Sequence, residues 1–232
     1  MKNKNEIHLN IDTDKSISLP DLCKAVRKGQ LIAASIDKKN SYNINELLKK
    51  SNDYILNTSL TINKTSFLTP HLDIGGSGET IIYKISKNEL TIIDLNIDKE
   101  IDDSRVDMYE MDAGDLAFPD GKFLTITSFY TLMYVCYGDL LSIFNESFRV
   151  LKNGGVVKIW DVHTTQMPSG FTNVSIDLLC GKKTYHANYS SNAIQEIRDR
   201  EFYRALLLAS GFKNININIQ NNYAEIEAYK LL

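Results

Sequence analysis

The sequence predicts a doubly wound α/β fold: a mostly parallel, seven-stranded sheet closed by an antiparallel C-terminal hairpin and preceded by a helical cap. Three observations predict it. From Phe67 onward, short β-rich runs alternate with helical apolar stripes, the pattern of βαβ units with helices on both faces of a parallel sheet. The run Leu72–Ile74 passes straight into glycines and then into a helical segment. The tail alternates Ile with Asn over Lys213–Ile219 and resumes at Tyr223–Tyr229 across Asn221-Asn222, a hairpin with one buried face.

The elements follow in order. Residues 1–66 read as a cap or lid of two helices. Pro20 opens the first and Gly29 stops it, with Leu22, Ala25 and Val26 as its stripe. The second runs from Asn43 to Tyr54, with Ile44, Leu47, Leu48 and Ile55 at helical spacing. These helices either cover a site or brace the sheet. Residues 67–232 form the main domain, with strands expected at Leu72–Ile74, Leu90–Leu95, Val106–Met111, Phe123–Phe129 and Val156–Trp160. Helices are expected at Glu79–Ser86, Leu140–Leu151 and Ala193–Ser210, the last ended by Gly211. A second hairpin, Phe171 to Tyr189 around Gly181-Lys182-Lys183, is inserted after the fifth strand.

Composition narrows the function. With 26 Lys and Arg against 29 Asp and Glu, the net charge is −3, which predicts no nucleic-acid partner. The cysteines at 23, 136 and 180 form no CxxC pair, so no metal site is expected. The opening MKNKNEIHLNIDTDK lacks the apolar core of a signal peptide, and no run approaches the ~18 apolar residues of a membrane span. A cytoplasmic protein without a membrane partner is the expectation.

The chemistry gathers at strand ends. In His71-Leu72-Asp73-Ile74-Gly75-Gly76-Ser77-Gly78, glycines let a ligand approach the backbone, and the following helix start offers free N–H groups. Asp94 ends the next strand, where a carboxylate can accept both hydroxyls of a ribose. Asp112-Ala113 ends the third, pairing a side-chain acceptor with a backbone N–H as an adenine edge requires. Each acid has a plain alternative as a turn cap or a solvated strand end.

This ordered set resembles the class I S-adenosylmethionine-dependent methyltransferases of Rossmann-like fold, particularly the small-molecule branch. Residues 72–79 are similar to the family's glycine-rich first motif, DAGDLAFPDGKFLTITSFYTLMYV at 112–135 to its adenine loop and fourth strand, and FRVLKNGG at 148–155 to its RVLKPGG turn. LLLASGF at 206–212 is similar to its late helix and turn. Three positions depart from the pattern. The first motif is one residue short of D-h-G-x-G-x-G, and Leu124 and Tyr134 stand where the family often has an acid and a histidine. The resemblance implies that S-adenosylmethionine is bound by Asp73, Gly75, Gly76, Ser77, Gly78, Asp94, Leu95, Asp112, Ala113, Ser128 and Phe129. It also implies a transferase that leaves S-adenosylhomocysteine as product and methylates N, O, C or S of a small molecule.

His163, just past the fifth strand, is the first candidate for a general base and Tyr130 the second. An acceptor that arrives deprotonated needs neither. The rival reading is a non-catalytic domain that binds S-adenosylmethionine as a sensor or partner subunit. A nicotinamide dehydrogenase is disfavoured because the third glycine of G-x-G-x-x-G is replaced by Ile81.

Overall fold

A computed structural model of the 232-residue chain describes residues 54–62, 67–97, 101–165, 172–191, 194, 196–220 and 223–232, with side chains from Ser59 onward. All belong to the unit that begins at Ser51. The helices expected over 18–29 and 43–54 lie outside the described residues, except Tyr54, which opens a strand.

Near-continuous buried runs, as in the β-strands His71–Ile74 and Phe123–Phe129, build a sheet covered on both faces. In chain order the elements are β1 (Tyr54–Thr61), β2 (His71–Ile74), α1 (Ile81–Ile85), β3 (Leu90–Asp94), β4 (Val106–Glu110) and β5 (Phe123–Phe129). A 3₁₀ turn (Leu132–Tyr134) precedes α2 (Tyr137–Val150) and β6 (Leu151–Val162). Then come β7 (Thr172–Cys180), β8 (Lys183–Ser191), α3 (Arg200–Ala209), β9 (Lys213–Gln220) and β10 (Tyr223–Tyr229). The central sheet has seven strands in the order β4-β3-β2-β5-β6-β10-β9. β2 to β6 run parallel; β10 and β9 close the sheet antiparallel, as the Ile/Asn alternation predicts.

Neighbouring residues on one strand serve opposite cores. Ile93 and Ile159 pack with α2 and α3, through Leu140, Phe144, Tyr203 and Leu207. Ile92 and Trp160 face the other way, toward Ile81, Ile82, Val174 and Ile176. A parallel sheet needs both faces covered. On the second face α1 supplies only five residues, and the rest of the cover is a separate three-stranded sheet, β1-β7-β8. The inserted hairpin is present as expected, and β1 joins it in parallel, with Tyr54 opposite Thr172 and Thr61 opposite Leu179.

Three element boundaries differ from expectation. The helix expected from Glu79 begins at Ile81, because Thr80 holds a left-handed backbone with φ of 54°. The helix expected from Ala193 begins at Arg200, where Asp199 caps it by accepting the Phe202 N–H at 2.9 Å. The fifth parallel strand starts at Leu151 rather than Val156, since Gly154 and Gly155 pair with the Lys230 backbone at 2.7 and 3.1 Å. Gly211 follows α3 at φ of 96°, and Phe212 returns its N–H to the Leu207 carbonyl at 3.0 Å, the left-handed helix stop that glycine allows.

The three-stranded sheet is thus half of the second core. Replacing Ile176, which is 1% exposed, with Ala is expected to cost about 2–5 kcal/mol of unfolding free energy, read from urea denaturation.

Candidate functional site

The carboxyl ends of β2, β3, β4 and β5 lie side by side, which brings the sequence-predicted acids to one edge. Leaving β2, the backbone turns at Gly75, which donates to the Ile93 carbonyl at 2.7 Å with φ of 75°. A Cβ there would lie 2.1 Å from Thr131, so only glycine fits. A Cβ on Gly76 would lie 2.2 Å from the Asp73 carboxyl. Gly78 is different: a Cβ on it would meet nothing within 4 Å, so the loop borders open space there.

Ser77 ties the loop to β3. Its hydroxyl lies 2.8 Å from both the Asp94 carboxylate and the Asn96 carbonyl, and its N–H donates to the same Asp94 oxygen at 3.2 Å. Among the described residues, the other Asp94 oxygen has a single long contact, 3.5 Å, from the Asn96 N–H. Asp112 is exposed and accepts the Gly114 N–H at 2.8 Å, closing the turn after β4. Leu95 and Ala113 beside these acids are half-buried. Ser128 and Phe129 point into the two cores, Ser128 among Ile74, Ile143 and Phe144, and Phe129 against Trp160. Their contribution to this edge is therefore backbone.

Asp73 is fully buried beneath the loop. Burial pushes its carboxyl up to about 8, opposed by the Thr127 hydroxyl that donates to it at 2.7 Å and reinforced by the charge of Asp94. Behind Thr127, at 2.9 Å, sits His71, which burial holds down to about 3 and so neutral.

The turn after β5 is pinned from three sides, by residues the sequence reading did not place in the site. Arg198, with no exposed side chain, donates to the carbonyls of Leu132 at 2.7 Å and Val135 at 2.9 Å. Asp161, at the end of β6, accepts the Val162 N–H at 2.7 Å; burial raises its carboxyl to about 6, offset by the charge of Arg198 and by the backbone N–H groups of Val162, Leu132 and Met133 that face it. From β8, the Ser191 hydroxyl donates to the Met133 carbonyl at 2.6 Å. Thr131 passes this order to the glycine loop through its bond to the Ile74 carbonyl at 3.0 Å.

The two base candidates are placed differently. Tyr130 directly follows β5 in a left-handed conformation, φ of 52°, with 1% of its surface exposed. Its ring stacks on Tyr189 of β8, centroids 5.4 Å apart and planes 13° off parallel. His163 directly follows β6 and is half-buried. Arg149, in the RVLKNGG segment, binds Glu146, Asp120 and the carbonyls of Leu116 and Phe118, bracing the loop that follows Asp112. Among the described residues, no cluster of His, Cys, Asp and Glu is arranged to hold a metal ion.

Residues 65–159 match the family model of a methyltransferase domain. Two structures of phosphoethanolamine N-methyltransferase 2 from Haemonchus contortus are similar in fold. One, in complex with phosphomonomethylethanolamine and S-adenosylhomocysteine, aligns at TM-score 0.53 and 14% identity over 72% of this chain and 50% of its own. The other, with S-adenosyl-L-methionine, aligns at 0.52 and 13% over 81% and 52%. This chain therefore spans about half the length of that enzyme. An S-adenosylmethionine-dependent methyltransferase from Mesorhizobium loti aligns at 0.49 and 14% identity over 68% of this chain and 90% of its own. No curated protein matches the chain by sequence.

The buried acids set a pH dependence. A folded-state value above the unfolded one means the native state binds more protons, so stability falls as pH rises between the two values. For Asp73, pushed up to about 8 from 3.8, that window runs from about pH 4 to about pH 8. In the ligand-free protein the unfolding free energy is expected to decline across this range, and Asp73→Asn to flatten the decline, as followed by urea melts at a series of pH values.

Proposed function

We propose that this chain, which carries a methyltransferase domain of the class I S-adenosylmethionine-dependent family, transfers the methyl group of its cofactor to a small molecule. The observation that carries the reading is the edge itself. Asp73, Asp94 and Asp112 stand at the ends of three adjacent strands around a glycine loop that borders open space at Gly78.

The residues fit the cofactor. The backbone from Gly75 to Gly78, with Ser77, would face its amino-acid part; Asp94, with one oxygen only loosely engaged, would accept ribose hydroxyls; Asp112 and Ala113 would meet the adenine edge. Leu95 would pack beside the base, and the Ser128 and Phe129 backbone would border the amino-acid part. The bound cofactor supplies an electrophilic methyl carbon on a positively charged sulfur. The chain's own task is alignment: holding an acceptor against that carbon can supply roughly 7–11 kcal/mol of the barrier.

A small acceptor is favoured by how the edge is covered. β8 lies over the turn after β5 through Tyr189 on Tyr130, the Ser190 N–H on the Tyr134 hydroxyl at 3.1 Å and Ser191 on Met133. Cover of this kind would suit a small acceptor better than a macromolecule, and the net charge of −3 offers little field for nucleic acid. His163, at the carboxyl end of β6, is the first candidate to take a proton from an O or N acceptor. Tyr130 is second, because its ring is sealed beneath Tyr189.

Two outcomes test this. Calorimetry is expected to show heat with S-adenosylmethionine and S-adenosylhomocysteine, and Asp94→Ala to weaken both by about 1–3 kcal/mol. Absence of heat with either compound at millimolar concentration refutes the reading. Once an acceptor is in hand, His163→Ala is expected to slow turnover by ~10²–10⁴ while leaving S-adenosylhomocysteine affinity unchanged. Full turnover with the same pH profile would make the histidine structural.

A further inference from the structure

The peptide unit at the head of the glycine loop is held from both sides by different elements. It joins Ile74, the last residue of β2, to Gly75. Its N–H donates to the Ile93 carbonyl of β3 at 2.7 Å. Its carbonyl accepts the hydroxyl of Thr131, in the turn after β5, at 3.0 Å. The Gly75 and Phe129 carbonyls lie farther from that hydroxyl, at 3.4 Å, so Ile74 is the better acceptor for its single proton. With both polar groups engaged, the plane of this peptide is fixed. Gly75 then turns the chain at φ of 75°, and the backbone of residues 76–78 takes its direction from that plane.

Thr131 also fills the space beside the loop. A Cβ on Gly75 would overlap the Thr131 side chain, so the threonine stands where a side chain of residue 75 would go. A β-branched side chain has few χ1 choices, which keeps hydroxyl and methyl in place together. The backbone that presents it is equally constrained. Just before it, the Tyr130 N–H donates to the Trp160 carbonyl of β6 at 2.7 Å. The Tyr134 N–H closes back on the Thr131 carbonyl at 3.0 Å, and Arg198 holds the Leu132 carbonyl at 2.7 Å. The loop has no side chain at positions 75, 76 and 78, so what Thr131 orders there is backbone, the feature a ligand approaching closely would read.

We propose that Thr131 is a positioning residue of the cofactor site: acting through the Ile74–Gly75 peptide, its hydroxyl presets the glycine loop in the conformation that binds S-adenosylmethionine. The inference rests on the methyltransferase reading and adds to that site a residue outside the glycine motif and the strand-end acids. A loop ordered before binding spares the ligand the cost of ordering it. Without the hydroxyl that cost falls on binding, and the Ile74 carbonyl loses its donor.

The test is calorimetry of the full chain with S-adenosylhomocysteine, alongside urea denaturation of each variant. Thr131→Val keeps the shape and removes the donor, and it is expected to weaken binding about tenfold. Thr131→Ser keeps the donor and is expected to stay within about threefold of the wild type. Ile176→Ala, in the second core, is the control: it is expected to lose stability with S-adenosylhomocysteine affinity unchanged. Rescue by serine and the silence of the core variant separate positioning from a general loss of stability. If Thr131→Val does not unfold cooperatively, Thr131→Ala, which also lacks the donor, replaces it with the same expectation; if neither folds, the threonine is structural and the inference fails. Binding by Thr131→Val within about twofold of the wild type overturns the inference, and so does a Thr131→Ser or an Ile176→Ala weakened as much as Thr131→Val. Absence of heat with the wild type overturns the methyltransferase reading and this inference together, whereas wild-type heat with an unchanged Thr131→Val overturns the inference alone.

Discussion

Arg198 carries a full positive charge with none of its side chain exposed to water, and the arrangement of the site follows from satisfying it. A buried guanidinium is tolerable only if its N–H groups are matched by acceptors. The acceptors are Glu196 at 2.6 Å, which neutralises the charge, and the Leu132 and Val135 carbonyls of the turn after β5. Asp161, buried at the end of β6, faces the Leu132 and Met133 N–H groups of the same turn. The turn is thus held by the Arg198 guanidinium on its carbonyls and the Ser191 hydroxyl on Met133. Thr131 can then rest within van der Waals reach of Gly75, and Tyr130 keeps a left-handed backbone that a looser loop would relax. The shape of the glycine loop thus depends on a residue more than a hundred positions away in the chain.

The same turn joins the two sheets. On the α2 face the central sheet is covered in the ordinary way, by a helix with buried Leu140, Ile143, Phe144 and Val150 in one stripe. On the opposite face α1 is too short to do this, and β1-β7-β8 replaces helices as cover. Strands offer a flat, alternating face. Every second residue of β7, Val174, Ile176 and Leu178, packs inward while its neighbours remain outside. The hairpin is long enough to extend past the sheet, so its last residues, Tyr189 to Ser191, reach the carboxyl edge. Cover for the core and cover for the site are therefore one element.

What was legible in the sequence is what local pattern determines. Phe123–Phe129 follows from its run of β-branched and aromatic residues and the C-terminal hairpin from alternation, and the three acids fall at strand ends because the runs before them are short and apolar. β1 was not legible, since Tyr54–Thr61 is a strand only through parallel pairing with residues over a hundred positions later, and its Ile and Leu spacing also satisfies a helix. Arg198 was read as one more helical residue, because nothing local distinguishes a solvated arginine from one that neutralises a distant turn.

The chain of bonds beneath the loop has a direction that its environment decides. When Asp73 is ionised it can only accept, so Thr127 must donate to it, and the Thr127 oxygen then accepts from the His71 Nε2–H. When Asp73 is protonated, it can donate to Thr127 instead, and the Thr127 proton must go elsewhere. The Leu72 carbonyl lies 3.4 Å away, a poor acceptor by distance, while His71 Nε2 lies at 2.9 Å. Using His71 as acceptor would move its proton to Nδ1, a buried nitrogen with no partner among the described residues. An unpaired buried N–H costs about 1–3 kcal/mol, more than a stretched bond to Leu72 loses. His71 therefore keeps its proton on Nε2 in both states, and only the threonine hydroxyl rotates. Protonation of Asp73 is absorbed within β2 and β5 without disturbing the histidine.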